Sequence, residues 1–172
     1  EKAYQHEYLG IPVGTGGHVF ENLELREITD EEVARFDRIY MGQDFGWYPD
    51  PAAFIRLHYD SNREVIYFID EIYVNKTPNE ELVNMIKEKG YNDNIITCDS
   101  AEPKSVADFR ACGLNAKGAV KGPDSVAYGM KWLQKRKIVI DKRRTPNAYR
   151  EFTEYEYERD REGNVISGYP DA

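Results

Sequence analysis

Two aspartates stand where a carboxylate is expensive to place. Asp44 leaves a strand-like run in Gly42-Gln43-Asp44-Phe45-Gly46, and Asp99 directly follows an apolar run in Ile96-Thr97-Cys98-Asp99-Ser100-Ala101-Glu102-Pro103. An acid that ends a buried strand must be paired, hydrogen-bonded or bound to a cation. Two or three acids meeting at one sheet edge form an oxygen-rich site suited to Mg²⁺ or Mn²⁺. A pair of such ions, ~3.5–4 Å apart, can activate a water and stabilise the leaving oxygen of a phosphodiester. The spacing leaves a plainer alternative open, with Asp44 as a turn residue and Asp99 as the cap of the following helix. Glu102 is either an outer carboxylate that orients a metal-bound water or a first-turn acid facing the helix dipole.

The elements around these acids follow from periodicity. The run Arg38–Gly46 reads as a strand whose glycines allow close approach to its end. Ala52–Tyr59 alternates, a polar turn follows at Asp60–Arg63, and Glu64–Val74 is a long apolar strand, so these three segments form an antiparallel meander. The period then becomes helical. Thr77-Pro78-Asn79-Glu80 reads as a capping box with a proline start, and Gly90 stops that helix. A strand at Asn94–Asp99, a helix near Pro103–Cys112 and a short strand near Ala116–Val120 come next. An amphipathic helix over Pro123–Lys135, a strand at Lys137–Ile140 and a helix opened by Thr145-Pro146 follow, and Tyr155–Ile166 resembles a hairpin. The first 37 residues read as loop and edge structure. This order predicts an α/β fold: a mixed sheet of three antiparallel strands, then alternating helices and strands, flanked by helices. Sites in such sheets gather at the carboxyl ends of strands, where Asp44 and Asp99 are expected.

Composition narrows the functions available. The 172 residues suit one domain, with 41% hydrophobic and 31% charged residues. No apolar run approaches the ~20 residues of a membrane helix and no secretory leader opens the sequence, so no membrane is expected. Cys98 and Cys112 lack CxxC spacing, which points to a reducing compartment. The three histidines, His6, His18 and His58, have no metal-ligand spacing, and no Ser-His-Asp or Cys-His arrangement is present. The net charge of -8 opposes nucleic acid in bulk. Against it, Lys131, Lys135, Arg136, Lys137, Lys142, Arg143 and Arg144 concentrate positive charge around the single acid Asp141. Lys131, Lys135, Arg143 and Arg144, together with Lys121 near the acidic edge, are the candidate phosphate contacts. Trp47 and Tyr48, just past Asp44, either pack beside a substrate strand or close a turn.

Four segments in order carry a family resemblance: GQDFG, CDSAEPKSV, GAVKGPDSVAYGMKWL and the tail REGNVISGYPDA. With the opening HEYLGIPVGTGGHVF, they resemble the nuclease domain of large terminase subunits, which package DNA into tailed-bacteriophage heads. The resemblance implies a ribonuclease H-like fold and a Mg²⁺- or Mn²⁺-dependent endonuclease cutting concatemeric double-stranded DNA. It carries Asp44 over as the first metal-binding acid and Asp99 as the second. It further implies residues 1–37 as a linker and edge segment following an ATPase motor and 38–172 as the nuclease domain. No G-x-x-x-x-G-K-[ST] occurs, and Gly14-Thr15-Gly16-Gly17 lacks the phosphate-binding lysine. The family's third acid, in an N-H-x-x-D segment, is expected just beyond Ala172. The implied partners are an ATPase motor, a portal and a small terminase subunit, in the cytoplasm of an infected or lysogenic host and transiently at the procapsid. A docking module for those partners and a ribonuclease H-like resolvase are the alternatives.

Overall fold

The meander sits at the centre of one sheet. In this computed structural model, residues 18–99, 102–120, 125–156 and 162 are described, with backbone alone over 125–129. Among them the chain runs β1 (Leu23–Leu25), α1 (Asp30–Arg35), β2 (Ile39–Asp44), β3 (Ala52–Asp60), β4 (Val65–Val74), α2 (Asn79–Glu88), β5 (Ile96–Cys98), α3 (Pro103–Ala111), β6 (Ala116–Gly118), α4 (Ser125–Gln134), β7 (Lys137–Ile140) and α5 (Pro146–Glu154). The strand order is β1-β7-β4-β3-β2-β5-β6. The β2–β3 and β3–β4 pairs are antiparallel, and the other pairs are parallel. The mixed sheet expected from the sequence is therefore present, with the helices on both faces.

One face is closed. Leu82, Val83 and Ile86 of α2 and Val106 and Phe109 of α3 pack with Met41, Phe54, Ile72 and Ile96 of the sheet. Here Val33 of α1 and Ile28 just before it cover Val65 and Val139. On the other face, Trp132 and Leu133 of α4 and Ala148 and Phe152 of α5 pack against Ile66, Phe68, Ile138 and Ile140. These helices cover the β7–β4 half, and among the described residues the β2–β5 half of that face stays open.

A bulge sets which residues line the open half. The β3–β4 register shifts between Arg56 and Leu57: Leu57 pairs with Phe68 but Arg56 pairs with Asp70. Ile69 is the extra residue, so Glu71 and Tyr73 share a face with Phe68, although simple alternation would turn them away. Asp70 then falls on the closed face, where it accepts from the Tyr91 hydroxyl (2.7 Å) and Lys89 Nζ (3.1 Å).

Two helix starts differ from the reading of the sequence. The box at Thr77 does not form: Pro78 is the N-cap, and the Thr77 hydroxyl donates to the Asn75 carbonyl (3.0 Å). Pro78 is extended (ψ 151), which moves the start one residue on and puts Thr77 out of reach of the first-turn amides. A complete capping box occurs instead at Thr29–Glu32, within the segment expected as loop and edge structure. The Glu32 amide donates to Thr29 Oγ1 and the Thr29 amide to Glu32 Oε1, both at 3.2 Å. Thr29→Ala should cost about 1 kcal/mol, read as a lower urea midpoint at unchanged slope. The segment expected as linker and edge thus supplies the edge strand β1 and the helix α1.

An ion pair fixes the β5 approach. Arg56 donates twice to Asp93, at 2.9 Å each, and its guanidinium lies 4.2 Å from the Tyr91 ring centroid. Hydrogen bonds from Arg56 hold the Asp93 carboxyl below the ordinary value of 3.8. The pair therefore stabilises the fold above pH 3.8 and loses that contribution as pH falls through the lower, folded-state value. Asp93→Asn should destabilise at neutral pH by about 1 kcal/mol, solvent screening keeping the loss modest. Chemical denaturation at pH 7 and under acid should show that difference closing on the acid side.

Candidate functional site

The parallel pairing of β2 with β5 brings the two acids together. Gly42 is level with Thr97 and Gln43 with Cys98, and the Asp99 amide donates to the Gln43 carbonyl at 3.0 Å. Asp44 and Asp99, one step further, end neighbouring strands on the same face. Asp44 is exposed and Asp99 half-buried, and both line an open groove of about 1040 Å³. The N-cap of α3 is Glu102, so Asp99 does not cap that helix. Glu102 is exposed and makes no side-chain cap bond.

Local structure anchors the first acid from behind. Gln43 is only 4% exposed, and its Nε2 donates to the Asp44 carbonyl oxygen at 2.9 Å. Phe45 turns to the closed face and meets Phe109 edge-on, with centroids 5.2 Å apart at 88°. A Cβ on Gly46 would lie 2.4 Å from the Pro51 carbonyl oxygen and 2.5 Å from that of Asp50, so only glycine fits this turn. Cys98 lies on the closed side, and burial pushes its thiol up to about 11, keeping it protonated at neutral pH.

The far wall of the groove holds residues that sequence reasoning missed. Glu71 Oε2 accepts from the Asn147 amide (2.9 Å) and side chain (2.6 Å), and Oε1 accepts from the Ala148 amide (2.9 Å). Its charge is thus spent on the start of α5, where Thr145 makes no side-chain cap bond. Tyr73 and Glu151 line the same wall. Desolvation raises the Glu151 carboxyl pKa; Arg150 opposes this, the charges of Glu71 and Asp44 add to it, and the Tyr73 hydroxyl offsets it. The acid pair Asp70-Glu71 within an apolar strand was the available signal, but the bulge that separates their faces is not visible in the pattern.

The basic candidates divide. Lys131, Lys135 and Arg143 are exposed. Arg144 is committed internally: Nε donates to the Ile28 carbonyl (2.8 Å) and Nη2 to Asp30 Oδ1 (2.6 Å). Two neighbours in the belt are likewise engaged, Arg136 over the Trp132 ring (3.9 Å) and Lys137 with Glu24 (2.8 Å). Lys121 and most of the tail hairpin lie outside the described residues.

Among the described residues no three His, Cys, Asp or Glu side chains gather as a metal-binding group. The pair Asp44 and Asp99 offers oxygen donors only, at an open edge that water can reach. That donor set fits a hard divalent cation with waters completing its shell, and it does not suit zinc or copper.

Comparison with known proteins bears on the family and the fold. The family model described as Terminase RNAseH like domain matches residues 44–170. The large terminase subunit of Bacillus phage SPP1 is 46% identical over 171 residues, covering 96% of this chain and 40% of that protein. The PBSX phage terminase large subunit of Bacillus subtilis strain 168 is 31% identical over 125 residues, 73% of this chain and 29% of that protein. The chain therefore spans well under half the length of these relatives. The crystal structure of the SPP1 large-terminase nuclease domain with bound Mn superposes with a TM-score of 0.81 at 45% identity, covering 86% of each chain. The phage P22 large-terminase nuclease domain shares the fold, with a TM-score of 0.58 at 20% identity over 76% of this chain and 73% of that one.

Proposed function

The chain belongs to the terminase ribonuclease H-like nuclease family, and from that premise we propose that it is a metal-dependent endonuclease acting on double-stranded DNA during phage genome packaging. The observation that carries this reading is the placing of Asp44 and Asp99 side by side at the open carboxyl edge of β2 and β5. Support comes from the SPP1 nuclease domain, which is 45% identical and was solved with bound Mn.

The mechanism follows from what each residue does. Asp44 and Asp99 hold the cation, their backbones fixed by the parallel ladder and by the Asp99 amide on the Gln43 carbonyl. A divalent cation bound there supplies Lewis-acid activation of water and offsets charge building on the phosphate. The half-open sheet face admits a backbone segment of DNA, and the α4–α5 wall limits its approach from the other side. Exposed Lys131, Lys135 and Arg143 are the phosphate contacts we retain; Arg144 serves α1 and is a weaker choice. Two-ion cleavage requires a further acid, assigned by the family resemblance to a segment beyond Ala172. In the whole protein the motor, portal and small subunit raise the local DNA concentration, which an acidic domain with net charge -8 needs. Concatemer cutting in the host cytoplasm, and transiently at the procapsid, is the setting we assign.

Supercoiled-plasmid nicking tests the proposal. The chain, and a version extended past Ala172, should nick with Mn²⁺ or Mg²⁺ and stop with EDTA, the extended version faster. Folded, metal-binding protein of both lengths that cuts nothing would contradict the nuclease assignment and favour the docking role.

A further inference from the structure

The turn that follows Asp44 displays two large rings to solvent. Trp47 is 54% exposed and Tyr48 64%. Isolated apolar exposure is ordinary, but two adjacent aromatics on a held turn beside a reactive site are a recognition feature. The turn is held at several points. Phe45 is anchored on Phe109, Gly46 has no room for a side chain, and the Lys76 amide donates to the Trp47 carbonyl at 2.8 Å. Lys76 Nζ lies 4.7 Å from the Tyr48 ring centroid, and its backbone has φ 51, a left-handed conformation rarely adopted by lysine. Backbone strain of this kind persists where surrounding structure over-determines it and clusters at ligand-binding elements. Rings presented on such a turn lose little freedom when a ligand packs on them.

We propose that Trp47, Tyr48 and Lys76 form a DNA-seating platform that packs on the nucleotide flanking the scissile phosphate. The aromatic faces contact base or sugar, as they do on sequence-tolerant nucleic-acid surfaces, and the exposed ammonium of Lys76 faces a phosphate. The occupant is DNA because the platform continues directly from the first acid and carries positive charge on an otherwise acidic chain. This inference rests on the DNA-nuclease reading.

Anisotropy of a short fluorescein-labelled duplex, measured on Asp44→Asn protein in Mg²⁺ so that the DNA stays uncut, gives the test. Adding Trp47→Ala or Tyr48→Ala should weaken binding about fivefold or more, with Trp47→Phe close to the parent. Lys76→Ala should lower the salt dependence by about one phosphate contact. In otherwise unsubstituted protein, Trp47→Ala should raise KM for nicking more than it lowers kcat and leave Mn²⁺ binding unchanged. Because Trp132 is the other tryptophan, Trp132→Phe makes Trp47 the sole tryptophan, and duplex DNA should quench its emission excited at the red edge. DNA binding by the parent that none of these substitutions alters, with Trp47 emission unmoved, would overturn the platform and leave the nuclease standing. Unsubstituted protein that neither binds nor cuts DNA would overturn both.

Discussion

Asp44→Asn should abolish metal-dependent nicking while leaving the fold intact, a fall of about 10²–10³-fold or more in rate. The substitution preserves size and shape and removes one of the two charges proposed to hold a cation. Several contacts that hold this strand end do not use that charge. The Asp99 amide bonds to the Gln43 carbonyl, Gln43 Nε2 bonds to the Asp44 carbonyl, and Phe45 packs on Phe109. All of these contacts are made by the backbone or by neighbouring side chains, so the melting temperature should stay near the parent's. Asp99→Asn should behave alike. With both acids in the one proposed donor set, the double variant should lose scarcely more than either single one. Wild-type cutting by both single variants would show that the site lies elsewhere.

Phe109→Ala carries the largest expected loss of stability, about 3–5 kcal/mol. The ring is fully buried among Leu82, Ile86, Val106 and Ile96. Truncation would remove its packing and leave a cavity between α3 and the sheet. Against the ~5–15 kcal/mol that holds a typical domain together, such a loss brings the protein near its unfolding threshold at body temperature. Urea denaturation should show a much lower midpoint at unchanged slope. The effect should also reach the site, because Phe45 meets Phe109 edge-on and directly follows Asp44. Nicking by the folded fraction should therefore need more Mn²⁺. An unchanged metal requirement would show that Phe45 does not hold the first acid in place.

Much of this was legible in the sequence because local signals agreed with tertiary needs. The alternation in Ala52–Tyr59 and the apolar run to Val74 marked the central meander, and Gly90 and Gly113 sit in left-handed conformations just past α2 and α3. The acids could be placed at strand ends, but their adjacency depends on β5 pairing with β2 across more than fifty residues, which no local pattern encodes. The threonine caps illustrate the same limit. Thr77 and Thr29 both precede a Glu three residues on, and only the extended Pro78 distinguishes the failed box from the formed one. Glu71 and Tyr73 were hidden because a single bulged residue, Ile69, reverses the alternation that would have assigned their faces, and Glu151 because it reaches the groove from α5, distant in sequence. The basic belt was read as one surface, yet Arg136, Lys137 and Arg144 are taken up by Trp132, Glu24 and the Ile28–Asp30 segment, elements distant in sequence.

The central claim is that Asp44 and Asp99 share a divalent cation. Crystals grown with Mn²⁺ and measured for anomalous scattering test it most directly. An anomalous peak is expected beside the two carboxylates at the open ends of β2 and β5, absent in Asp44→Asn crystals grown alike. A clean map with no peak there, or a peak on other residues that persists in Asp44→Asn, would contradict it.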